Sequence, residues 1–175
     1  MTDLYELSID TYKRVLASTI DVMEKGATYF NEQGLDLADL VNMQLAPDMR
    51  AFPFQVSLVR HQSLGAAKGI VAGEFSPPPE IPELDYRGLI NLLSEALVEV
   101  NNIKAETING VAGKAMYFRK GDFELPFTTE NFILSFSLPN LYFHAATIYD
   151  MLRIKGVPLG KMDYMGKMKV GLPGA

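Results

Sequence analysis

The sequence predicts an all-α protein, a four-helix bundle with a small β-hairpin between helices three and four. Three observations lead there. Apolar residues recur at helical spacing over residues 3–33 and again over 86–103. Residues 128–155 are apolar almost all round, as a helix packed on every side would be. The pattern changes character only once, over residues 111–127, where it reads as two short strands about a turn. With 175 residues, 48% hydrophobic and 21% charged, the chain has enough apolar surface for one core, and a single domain over 1–175 is expected.

The first helix is defined by Tyr5, Ile9, Tyr12, Leu16, Ile20, Met23, Ala27 and Phe30, which recur in steps of three and four and therefore form one stripe. Asp3 followed by Glu6 forms a capping arrangement at its start, and Gly34 is placed to end it in a left-handed conformation. A short helical piece over 36–42 precedes an irregular turn, Leu45-Ala46-Pro47-Asp48-Met49. The second helix begins near Pro53, where the missing amide proton is not needed, and runs to Ala72 before Gly73. Pro77, Pro78, Pro79 and Pro82 then impose an extended, stiff connection. After Asp85, the positions Tyr86, Leu89, Leu93, Leu97 and Val100 give the third stripe. Strands over 114–118 and 122–126 are expected about Arg119-Lys120-Gly121. The last helix opens at Thr128 or Thr129 and reaches Lys155, with Pro139 kinking or splitting it.

Composition removes whole classes of chemistry. There is no cysteine, so disulfides, thiolate metal sites and a cysteine nucleophile are excluded together. Two histidines cannot supply a three-imidazole site. The acidic, amphipathic start is unlike a secretory signal, and a cytoplasmic protein is expected. The uncharged run Asn131 to Tyr149 contains Ser135, Ser137, Pro139, Asn140, His144 and Thr147, which suits a buried helix better than a membrane span. The net charge of −5 is distributed as +4 after residue 152 and −9 before it, so neither nucleic acid nor membrane is an expected partner. Gly156-Val157-Pro158-Leu159-Gly160-Lys161 has the wrong glycine spacing for a phosphate loop and no Ser/Thr after the lysine. No dinucleotide fingerprint, no nucleophile elbow and no Glu-x-x-His pair occurs.

The residues still able to carry chemistry are His61, midway along the second helix, and His144, midway along the fourth. On one reading both point into a shared pocket as ligands or acid–base groups, helped by Asp48, Tyr142 and Asp150. On the other, each is a hydrogen-bonded, partly buried structural side chain. The run Leu141-Tyr142-Phe143-His144, with Phe132 and Phe136, lines either a pocket or the core. Met162, Met165 and Met168 are expected to cover an open end of the bundle.

At Leu45-Ala46-Pro47-Asp48-Met49, at Leu138-Pro139-Asn140-Leu141-Tyr142-Phe143-His144 and at residues 156–166 (GVPLGKMDYMG), the chain resembles a family of uncharacterised bacterial and fungal proteins grouped with the DinB/YfiT-like superfamily. The resemblance implies a DinB-like four-helix bundle, commonly a homodimer. It also implies relatives that hold a divalent metal through three histidines, some of them transferases using low-molecular-weight thiols. Against that pattern, Ile148 stands four residues after His144, where the second histidine of a His-x-x-x-His pair belongs, so the metal site is degenerate. Only His61 and His144 carry over. The resulting expectation is a DinB-like dimer without a metal or other cofactor that binds a small molecule or a protein partner. The alternative is a divalent-metal-dependent thiol transferase or hydrolase, with zinc or nickel held by His61, His144 and Asp48 or Asp150. A purely structural dimer partner is the third class. Fold by itself does not choose among them.

Overall fold

A computed structural model describes residues 2–171. It is mostly helical with one small three-stranded sheet. A π-helical turn, Glu6–Asp10, leads directly into α1, Thr11–Glu32. The start is held by Asp3, whose carboxylate accepts from the Glu6 amide at 2.9 Å. The end comes at Gly34, with φ of 66°. A one-turn helix α2, Ala38–Val41, follows. The second long segment is α3, Phe52–Arg60, a π-helical turn His61–Gly65, and α4, Ala66–Ala72, closed by left-handed Gly73. Pro53 lies in the first turn of α3, where no amide donor is missed.

Beyond the proline segment, Asp85 caps α5, Tyr86–Asn101, by accepting from the Gly88 amide at 2.7 Å. A short α6, Ala105–Asn109, precedes the strands. Thr128 then caps α7, Thr129–Phe132, which continues through a π-helical turn Ile133–Ser137 into α8, Leu138–Ile154. Pro139 therefore neither breaks nor frees the segment. It falls in the first turn of α8, just after the π-helical turn, where the regular ladder is already interrupted. The chain turns back at Gly156 into α9, Lys161–Met165. The sequence pattern shows neither α6 nor α9, because each is only five residues long.

The long helices close around one core. α1 packs on α5 and α8, and α3 packs on the same two. Tyr12, Leu16, Met23 and Phe30 of α1 meet Phe52 and Val56 of α3, Leu89 and Leu93 of α5, and Leu141 and Ile148 of α8, all at most 2% exposed. Each such side chain contributes about 1.5–3 kcal/mol by leaving water. Gly26 leaves room for side chains of the neighbouring helices, since an added Cβ there would lie 2.6 Å from the Tyr86 hydroxyl and 2.9 Å from a Leu152 methyl. That hydroxyl donates to the Met23 carbonyl at 2.9 Å.

β2, Ala115–Lys120, and β3, Phe123–Thr128, pair antiparallel from Ala115↔Thr128 to Lys120↔Phe123. The turn is Gly121-Asp122, opening two residues and ending one residue later than the sequence pattern suggests, and Gly121 with φ of 58° supplies the positive angle at the first loop position. A two-residue strand β1, Glu74–Phe75, adds to β2 in parallel. Its partner is more than forty residues away and prolines follow at once, so no local pattern marks it.

Candidate functional site

His61 opens the π-helical turn between α3 and α4. Its ring stacks on Phe75 of β1, with centroids 4.4 Å apart and planes at 25°. Nε2 lies 2.8 Å from the Ser76 carbonyl, which can only accept, so Nε2 carries the proton. Gly65, at the end of the same turn and on the same face, leaves room for the ring: a Cβ there would come within 2.7 Å of Nδ1. Burial lowers the pKa of His61, the Ser76 carbonyl works against that shift, and Arg60 adds to it. The ring is clamped between helix and sheet and pins the start of the proline segment.

His144 has a different environment. It is 8% exposed on α8, and Nδ1 lies 2.7 Å from Gln55 Oε1 on α3. The amide of Gln55 is oriented by its own Nε2, which donates to the Arg50 carbonyl at 2.9 Å. With Oε1 turned to the imidazole, Nδ1 must donate and Nε2 must carry the lone pair. Burial alone pushes the ring's pKa down to about 4, so the imidazole is neutral at physiological pH. Phe54 and Phe143 meet the ring edge-on at 6.1 and 5.0 Å, and the Arg50 guanidinium covers Phe54 at 5.4 Å. Both phenyl rings are exposed. Nε2 makes no protein hydrogen bond among the described residues, and Gln62 Oε1 is the one buried side-chain polar atom left unpartnered among them. Nε2 therefore keeps an edge open to solvent. The arrangement is a neutral acceptor with a fixed tautomer, flanked by two phenyl rings in edge contacts.

No hydrogen bond or ring contact joins His61 to His144 among the described residues. Gln55, the partner of His144, lies six residues before His61 on the same helix, which corresponds to about 9 Å along the axis and roughly 120° around it. The helpers named from sequence are not brought to either ring by any hydrogen bond. Asp48 is exposed in the turn before α3. Tyr142 faces the other way: its hydroxyl accepts from Arg14 Nη2 at 3.5 Å, and its carbonyl accepts from Tyr164 at 3.5 Å. Asp150 is exposed near Tyr164, whose pKa is raised first by burial and then by Tyr142 and Asp150. Among the described residues no three of His, Cys, Asp and Glu stand together as metal ligands. The residues present therefore do not fit the three-histidine centre that the superfamily resemblance implies.

Three residues of this site escape the sequence reading. Gln55 looks like an isolated polar position in an apolar helix, and Phe54 and Arg50 lack any motif. The usable signal is Gln55 itself, since a glutamine on a buried helical face needs a polar partner.

Comparison with known proteins fits the fold. No curated protein matches this chain. The crystal structure of a DinB family member protein from Shewanella denitrificans superposes with a TM-score of 0.81 at 22% identity, covering 97% of this chain and 96% of that one. The fold is therefore DinB-like. Residues 4–165 match the model of a domain of unknown function, DUF1993, and the chain belongs to that family.

Proposed function

We propose that this protein is a single-domain, DinB-like four-helix bundle that binds a small molecule at His144. The observation that carries the reading is the Arg50–Gln55–His144 relay, which fixes a neutral imidazole with its lone pair outward. A histidine buried for a structural role alone would have both ring nitrogens satisfied by the protein. Here Nε2 has no protein partner among the described residues, and the Phe54 and Phe143 rings border the imidazole. The ligand that suits it has a planar apolar body for the two rings and an O–H or N–H group to donate to Nε2. In this reading no cofactor takes part, and the protein works in the cytoplasm without nucleic acid or membrane. No helix among the described residues is long and apolar enough to cross a membrane.

Dimerisation belongs to the same proposal. Phe143 and Ile154, 57% and 67% exposed, are eleven residues apart on α8, about three turns, and so lie on one side of the helix with the exposed Asp150 between them. Two large apolar side chains exposed on one side of α8 support a second copy as their cover.

The test is a titration of isotope-labelled protein with simple phenols, followed by long-range proton–nitrogen correlation of the His144 ring. The expected result is a shift of Nε2 that is lost in His144→Gln and reduced in Phe143→Ala. A silent Nε2, or binding that persists in His144→Gln, overturns the proposal. Stoichiometric zinc or nickel that is lost in both His61→Ala and His144→Ala would overturn it in favour of the metal-dependent transferase or hydrolase.

A further inference from the structure

A groove of about 750 Å³ runs between α1 and α5 under the segment 167–170, within the size range of small-ligand clefts. None of its lining residues belongs to the His144 site. Its floor is apolar, from Ala17 of α1 and Leu97 of α5, and its rim carries Met168 and Val170. Those two rim side chains are 41% and 84% exposed although they border an apolar floor. Cations surround the apolar strip: Lys13 and Arg14 on one wall, Lys167 and Lys169 on the other. Asp10 also lines it and pairs with Lys169, and Glu6 flanks the neighbouring hollow. The local balance is still positive, on a chain whose net charge is −5.

Existing contacts hold the cations at this edge. Arg14 donates to the Met165 carbonyl at 3.2 Å and to Tyr142, and Lys13 donates to the Tyr5 hydroxyl at 2.7 Å. None of these three partners is a carboxylate, so none of the contacts neutralises the charge. Lys169 and Asp10 tie the segment 167–170 to the start of α1 across the groove. An apolar trough with cations along its rim is complementary to an anionic head group on an apolar chain.

We propose that this groove binds an amphiphilic anion, with a single alkyl chain along Ala17, Leu97, Met168 and Val170 and a carboxylate or phosphate head group at Lys167 and Arg14. Calorimetric titration of the full chain with decanoate, decyl phosphate and decanol tests it, with Lys167→Glu and Val170→Asp as variants. Both positions are on the exposed tail segment, and unchanged melting temperatures without ligand confirm that the variants fold. The anions should bind with Kd of order 10–100 μM. Decanol should bind about tenfold more weakly or worse, and each variant should lose about tenfold for the anions. Binding of only one anion identifies the head group and supports the proposal. No binding of either anion at 1 mM (roughly ten times the weakest expected Kd), decanol equal to the anions, or variants equal to wild type overturns it.

Discussion

The titration of His144 is where structure and stability meet most directly. In the unfolded chain its pKa is near 6.5, and in the fold burial holds it at about 4. Between those values the unfolded state takes up a proton that the folded imidazole refuses, so stability falls as pH is lowered through 6.5 and the loss levels off below about 4. If the ring were sealed from water, the shift would amount to about 3 kcal/mol. Water at the open Nε2 edge screens the charge, which brings the expected share to roughly 1–2 kcal/mol. Urea unfolding of wild type and His144→Gln at pH 7.5 and pH 4 measures it. The wild type should lose about 1–2 kcal/mol more than the variant on acidification, since carboxylates contribute equally to both. A proton–nitrogen titration assigns the folded pKa directly, because His61 is the only other imidazole. A folded pKa of 6.5 or above, or equal acid loss in the two proteins, would refute both the neutral state and the outward lone pair derived from Gln55.

Gln55→Glu places a carboxylate on Nδ1–H and should raise the His144 pKa by about one unit or more, read in the same titration. Gly65→Ala pushes a methyl group to within 2.7 Å of His61 Nδ1 and should cost about 1–3 kcal/mol in urea, most of it recovered in the His61→Ala background where the clash is gone. Leu93, fully buried on α5, should cost about 2–5 kcal/mol as Leu93→Ala. Light scattering at micromolar concentration should return twice the chain mass of 19.4 kDa, and a monomer there would remove the dimer proposal.

How much of this was legible in the sequence depended on whether the cause was local. The stripe through Tyr12, Leu16, Met23 and Phe30 repeats every turn, so it could be read directly, and the same residues are the buried face of α1. Asp85, Thr128 and Pro53 announce helix starts because a cap acts within three residues of itself. Strand β1 depends on a neighbour more than forty residues on and left no mark. The π-helical turns also lack a signal, since Leu7, Gln62 and Phe136 continue an ordinary helical pattern through them.

For the candidate site the division has a chemical consequence. His61 and His144 were visible as residue types, but what each can do was decided by an atom far away in the chain: the Ser76 carbonyl for one, the Gln55 amide for the other. The carbonyl accepts only, so His61 spends its proton on Nε2 and turns Nδ1 toward Gly65. The amide is held by Arg50, so His144 spends its proton on Nδ1 and leaves Nε2 toward solvent. Two imidazoles on two packed helices thus receive opposite tautomers. A site that needs both as converging ligands would have to take Nδ1 of His61, because Nε2 is held on the Ser76 carbonyl, together with Nε2 of His144. A ligand that needs one acceptor meets His144 already in the required state.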